Sequence, residues 1–148
     1  DFEVALIDPR SHGTVTLASA NPFEPPVIDP CYLADAADAR ALERGVHIAR
    51  RIAASAPCRR AGIGPEHAPG TRPLAEYVRD SATSSYHAVG TCRMGNDDQA
   101  VVDPELRVRG VEALRVVDAS VMPTTVTGNS QAAVGAIAER AADLIPAS

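Results

Sequence analysis

Tryptophan is absent from this chain, aromatic residues make up only 3% of it, and cysteine occurs three times. The aromatic poverty removes the stacking platforms that hold single-stranded nucleic acid. Acidic residues outnumber basic ones by 19 to 14, a net charge of −5, so no broad basic footprint exists for nucleic acid of any kind. No apolar run approaches the ~20 residues that cross a bilayer. The cleanest run, Ala132 to Ala138, consists mostly of small residues. Cys31, Cys58 and Cys92 are odd in number and scattered, which does not read as a disulfide framework and fits a reducing, cytoplasmic compartment. His12, His47, His67 and His87 lack ligand spacing, and with no CxxC or HxxxH pattern a metal site is not expected.

What is present is ordinary globular composition, 45% apolar and 22% charged over 148 residues, the size of one domain. The first residue is Asp1 rather than Met. It opens into the strand-like run 2–7 and not into a signal peptide, so the chain reads as a piece of a larger protein. Runs 2–7 and 14–18 are expected to be strands, separated by the turn signal Asp8-Pro9-Arg10-Ser11-His12-Gly13. Four prolines between Asn21 and Pro30 exclude a helix and most central-strand positions there. That stretch should run extended across a surface.

A helix is predicted from Asp35 to Ala54, with Leu42, Val46, Ala49 and Ile52/Ala53 on its buried face and His47 solvated. Pro57 should end it, residues 59–71 should form a loop, and Thr71 should cap a short helix carrying Leu74, Tyr77 and Val78. Ser84 to Gly95 is polar and contains glycine. Val101 to Val108 leads to a turn at Arg109-Gly110, and Leu114 to Val117 reads as a short strand that stops at Asp118. A closing helix from Ser130 to Ile145 should bury Val134, Ile137, Ala141 and Leu144/Ile145.

Two places have the residue types for chemistry. A strand ending in Asp118, then a loop, then a helix begun by Gly128, Asn129 and Ser130 is the arrangement in which open α/β sheets bind ligands. Taken alone, such a unit is more often an ordinary connection with Asn129 as a cap. His87 lies in Tyr86-His87-Ala88-Val89-Gly90-Thr91-Cys92-Arg93-Met94-Gly95. A neutral imidazole there can take a proton from an alcohol, although a buried, hydrogen-bonded histidine is the commoner occurrence. Nothing in the local spacing aims Cys92 at His87 as a nucleophilic pair.

The segment from Tyr86 to Gly95 resembles the C-terminal signature of the glucose–methanol–choline (GMC) flavoprotein oxidoreductases. So does Leu114-Arg115-Val116-Val117-Asp118-Ala119-Ser120-Val121-Met122-Pro123 with Thr127-Gly128-Asn129 behind it. Upstream, Ser11 to Leu17 and Asn21 to Pro30 look like the opening of the same region, so the resemblance runs in order over nearly the whole chain. It implies that His87 is the histidine of the HxxGT motif, acting on the substrate C–OH group. Asn129 would be the second catalytic residue, as in the choline-type branch. Asp118, Ala119, Gly128, Ser130 and Gln131 would be the neighbours of FAD.

The family's N-terminal GxGxxG unit, which holds the FAD diphosphate, does not occur here. The resemblance therefore covers roughly the final quarter of a member. It implies an α+β fold, a small antiparallel sheet with helices. Residues 1–100 would form the tail of the substrate domain, and 101–148 the returning strand and helix of the FAD-binding domain. The parent would oxidise a small alcohol by hydride transfer, while the isolated chain would bind FAD weakly or not at all and be inactive. The lone strand at 114–117 would leave an unpaired edge, so the chain should self-associate or pair with the missing N-terminal region. The rival expectation is a non-catalytic structural or interaction module that assembles with itself or a separate N-terminal chain. A lyase of the same family, using the histidine for acid–base work alone, is a further alternative.

Overall fold

Residues 2–145 are described by the structure, a computed structural model. They fall into two units, one ending at Thr83 and the other beginning at Ser84. The elements are β1 (Thr14–Thr16), β2 (Val27–Asp29), α1 (Ala36–Ala53), α2 (Ala56–Arg60), α3 (Leu74–Ser81), a single 3-10 turn at Ala119–Val121 and α4 (Gln131–Leu144). The fold is α+β, as expected.

In the first unit β1 and β2 pair antiparallel, Val15 facing Ile28. Each has one neighbour only, which is how a strand reached through Pro25-Pro26 and followed by Pro30 is tolerated. Before β2 the chain is not extended throughout. The Asn21 side chain accepts from the Phe23 amide and its carbonyl accepts from the Glu24 amide, closing a turn.

Residues 2–7 form no strand, against expectation. They lie along α1 instead, close enough that a methyl group on Gly45 would collide with Cγ1 of Val4. An alternating pattern cannot by itself supply the ladder partner a strand needs.

α1 begins as predicted. Asp35 is the N-cap, its carboxylate accepting from the Ala37 amide at 2.7 Å. Three residues on, Asp38 is only 3% exposed. It does not turn back to the cap residue as a capping box would. Its carboxylate accepts from the amides of Arg10 (2.9 Å) and Ser11 (2.8 Å) and from the Ser11 hydroxyl (2.5 Å). The Ser11 oxygen in turn accepts from the Asp35 amide at 3.0 Å. The turn at Pro9–Ser11 is thereby fastened to the start of the helix, where the helix dipole also favours a negative charge.

Leu42, Val46 and Ala49 lie half-buried as expected and α1 packs on α3, whose Val78 is buried. Ile52 is exposed, so Ala53 is the residue of that pair nearer the packed face. Pro57 does not simply end the helix. α1 ends at Ala53 with Ala54 as its C-cap, and Pro57 sits in the first turn of α2, where its missing N–H has no partner to lose. The loop expected at 59–71 accordingly starts after Arg60. Thr71 is not the cap of α3; Pro73 holds that position.

The second unit is built on Val102, Leu106, Val121 and Ala141, all nearly inaccessible, with Met94, Val108, Val116, Val117 and Ile137 packed around them. α4 contributes Ile137 and Ala141 from its expected stripe, while Ile145 is exposed. The strand expected at 114–117 is reduced to one antiparallel bridge, Arg115 to Arg107. It is flanked by hydrogen bonds from Val108 N to Leu114 O and from Val116 N to Leu106 O. Val116 and Val117 are used for packing and not for a ladder, while Leu114 is exposed. The turn that brings this partner into place is closed by Asp103, whose carboxylate accepts from the amides of Glu105 and Arg107 and from the Arg107 guanidinium.

Burial pushes the Asp38 carboxyl up, but the Ser11 hydroxyl and the Arg10 and Ser11 amides outweigh it and hold the pKa below the ordinary carboxylate value. Stabilisation from Asp38 is thus complete above the unfolded pKa of about 3.9 and is lost as pH falls through the lower folded value. Asp38→Ala leaves three donors to water and should destabilise the fold by about 3 kcal/mol near neutral pH, the scale of one or two charge-assisted bonds at ~1.5–3 kcal/mol each. Urea titrations at several pH values should show the gap from the unsubstituted chain closing below about pH 4.

Candidate active site

The polar stretch after Ser84 holds its shape by main-chain bonds to a segment some thirty residues further on. The Cys92 amide donates to Ser120 O at 3.0 Å and the Met94 amide to Val121 O at 2.8 Å. Gly90 stands between these bonds and His87 with a φ of 94°, and a Cβ there would come within 3.5 Å of Met122 O. Only glycine takes that conformation without strain. The Ser120 and Val121 carbonyls are aimed by the 3-10 turn that Asp118 caps, its carboxylate accepting from the Ser120 amide at 2.7 Å. The Ser120 hydroxyl, then its amide, hold the Asp118 carboxyl below the usual carboxylate pKa. It is an anion at neutral pH, able to accept hydrogen bonds and not to give a proton.

His87 is half-buried. Its Nδ1 lies 3.1 Å from the Ser130 hydroxyl, a contact across forty-three positions of sequence. Nε2 has no hydrogen-bond partner among the described residues. Ser130 is the N-cap of α4, in the place the sequence suggested for Asn129. Asn129 precedes it, exposed, and Gln131 and Gly128 are exposed beside it. The side chains of Asn129 and Gln131 meet no partner among the described residues, and nothing stands within 4 Å of a Cβ on Gly128. Ala119 is half-buried within the 3-10 turn.

The second unit therefore brings His87 to Ser130 directly, and ties the histidine segment to the turn begun by Asp118. Cys92 contributes its amide to this lacing while its thiol stays free. Among the described residues no group of three or more His, Cys, Asp or Glu side chains could hold a metal ion, and no helix is long and apolar enough to cross a membrane. Sequence reasoning named Ser130 only as a cofactor neighbour and missed it as the partner of His87. A serine at a helix start is commonplace, and only the fold shows that its hydroxyl is turned elsewhere.

The family model described as GMC oxidoreductase matches residues 9–138. The chain belongs to the GMC oxidoreductase family. It is similar to the alcohol dehydrogenase (acceptor) of Pseudomonas putida, 44% identical over 93% of this chain and 26% of the relative. Choline oxidase of Arthrobacter globiformis is 45% identical over 92% of this chain and 26% of its own length. Among solved structures, the formate oxidase of Aspergillus oryzae RIB40, whose FAD modification that structure addresses, superposes with a TM-score of 0.86 at 32% identity. The match covers 94% of this chain and 25% of the oxidase. The chain thus spans about a quarter of the length of the GMC relatives it matches.

Gly90→Ala tests the lacing of the His87 segment. Forcing a Cβ into that φ should cost about 1–2 kcal/mol and slacken the His87 segment. Thermal unfolding reads the loss. Hydrogen exchange at the Cys92 and Met94 amides should show faster opening than in the unsubstituted chain.

Proposed function

We propose that this chain is the C-terminal portion of an FAD-dependent oxidoreductase acting on the CH–OH group of a small alcohol. In this reading His87 is the catalytic base and Asn129 the partner of the substrate oxygen. Residues 1–100 belong to the substrate-binding domain, and 101–148 supply the returning segment and helix of the FAD-binding domain. The observation that carries the reading is the His87–Ser130 contact at 3.1 Å. It sets the histidine of the HxxGT motif beside the residue that follows Asn129, so a base and an amide donor belong to one locality.

The residues present fit one part of FAD. The open loop face at Gly128 and the unpartnered amides of Asn129 and Gln131 suit the carbonyls and ring nitrogens of a flavin. The start of α4 at Ser130 favours negative charge near it. The anionic Asp118 carboxylate and the neighbouring Ala119 suit hydroxyls of the ribityl chain. The diphosphate has no glycine-rich loop to receive it in this sequence. Bound FAD would supply the acceptor for a hydride.

The chain's own residues do the remainder. His87 Nε2 takes the hydroxyl proton as the C–H bond gives up its hydride, which leaves a carbonyl and an imidazolium. The Asn129 amide donates to the substrate oxygen while that oxygen carries negative charge. Asn129 rather than histidine at the second position favours the choline-type branch, and the free cysteines favour a cytoplasmic site of action. Exposed apolar side chains on and around the hairpin, Leu17, Phe23 and Ile28 among them, favour pairing with the N-terminal part of the parent or with a second copy. On those same surfaces a non-catalytic assembly module remains the rival reading.

In the full-length protein His87→Ala should slow flavin reduction by alcohol by ~10²–10⁴-fold. Asn129→Ala should slow it by ~10²–10³-fold, in kcat more than in KM. Stopped-flow bleaching of the flavin band measures both, and normal rates in both variants would sink the assignment. The 148-residue chain alone should purify colourless. A stoichiometric flavin spectrum from it would show that this quarter of the fold builds a cofactor site unaided. Co-expression with the N-terminal portion should restore colour and turnover, whereas association without either supports the assembly module.

A further inference from the structure

We infer that Ser130 is a positioning residue that fixes the tautomer of His87. The inference rests on the proposed role of His87 as base. Serine at an N-cap ordinarily accepts from the amide two or three residues on, a bond whose loss costs about 1 kcal/mol. Ser130 does not do this. Its backbone sits at φ −70°, ψ −14°, already helical, and its hydroxyl makes no capping bond. The first turn of α4 is closed by the main chain alone, Val134 N to Ser130 O at 2.9 Å. The hydroxyl goes to His87 Nδ1 at 3.1 Å.

A neutral imidazole has one N–H and one lone pair, and the hydrogen bond at one nitrogen decides which is which. A base needs the lone pair on the nitrogen that faces the substrate. Nδ1 is occupied by Ser130, and Nε2 is the nitrogen without a partner among the described residues. With His87 acting as base through Nε2, the hydroxyl oxygen accepts from Nδ1–H, and Nε2 keeps the lone pair that receives the alcohol proton. When that proton arrives both nitrogens carry hydrogen. The Ser130 oxygen still has an N–H to accept from, so the contact survives the transfer without rearrangement.

Asn129 is the neighbour that makes this placement matter. An imidazole free to rotate about its side-chain bonds would present Nε2 to the substrate oxygen only part of the time. Tying Nδ1 to the residue covalently next to Asn129 keeps base and amide donor in register with each other. This is the form of support that functional side chains require if they are to stay within a few tenths of an ångström of a productive geometry.

The test uses the full-length protein with 15N-labelled histidine, and His87→Gln identifies the His87 ring signals. The unsubstituted protein should show His87 protonated on Nδ1. In Ser130→Ala the ring should shift to the Nε2–H form or to a mixture, with kcat for flavin reduction down about tenfold, the worth of ~1.4 kcal/mol, and KM within about twofold. Ser130→Thr, which keeps the hydroxyl, should restore both tautomer and rate. Because the hydroxyl caps nothing, Ser130→Ala should unfold within a degree or two of the unsubstituted protein. If it fails to fold, Ser130→Cys, similar in size and a poor acceptor, replaces it. An Nε2–H tautomer in the unsubstituted protein overturns the inference, and so does an unmoved tautomer in the serine variants. An unmoved tautomer leaves Nε2 as the accepting nitrogen, whereas an Nε2–H tautomer removes it from that part as well; the need for His87 in flavin reduction falls only if His87→Ala leaves the rate intact.

Discussion

Cys92 N–H to Ser120 O and Met94 N–H to Val121 O are the bonds on which the second unit turns. Each adds only about 1 kcal/mol net. Burying Val102 and Val121, both fully inaccessible, contributes more, at about 1.5–3 kcal/mol apiece. Hydrophobic burial therefore holds the unit together, but it does not choose a register, because apolar side chains attract one another without direction. The two directional bonds make that choice. They tie the histidine segment directly to the carbonyl of a core valine, so any packing that buries Val121 also fixes where the segment after His87 must run. Gly90 belongs to the same constraint, since a side chain at that positive φ is strained.

The first unit solves the same problem with less apolar material. Its buried hydrophobic residues include Ala39 and Val78, a thin core for a segment that contains three helices. What joins the N-terminal stretch to α1 is the Asp38 carboxylate with its three donors. A buried charge is expensive unless it is fully met, and here main-chain amides meet it at the end of the helix where the dipole assists. The exposed pair Arg72–Asp80 is of another kind. Solvent screens it, and it contributes little to stability.

Helices were legible because their signals are local. The helix start near Asp35, the three-and-four spacing of Leu42, Val46 and Ala49, and the stripe of Ile137 and Ala141 all lie within a few turns of the residues they describe. Strands were not. Residues 2–7 and 114–117 carry strand-like composition, yet a strand exists only where a second segment offers its N–H and C=O groups. For Val116 that is one short bridge region, and for Val4 it is the side of a helix. Pro57 and Thr71 failed for a smaller reason. Proline is accepted in a first helical turn as readily as after a last one, and cap residues are the least certain feature of a helix boundary. At the site, family resemblance pointed to His87 and Asn129. The partnership of His87 with Ser130 spans forty-three residues, and no spacing rule reaches that far.

A place where a local rule is broken, with the broken piece employed elsewhere, is informative about use. Ser130 is such a place. An N-cap hydroxyl that does not cap forgoes a bond of about 1 kcal/mol, and a hydrogen bond to imidazole of ordinary net worth returns about as much. Stability alone is therefore indifferent between the two arrangements. The difference lies in what each does to His87. Capping would leave Nδ1 to whatever solvent or neighbour came within reach, whereas the observed contact gives the ring one orientation and leaves one nitrogen open. Combined with the main-chain lacing at Cys92 and Met94, it holds the histidine by backbone on one side and by side chain on the other. A ring restrained from both directions has little freedom left except at the nitrogen that has no partner, which is where a proton must be received.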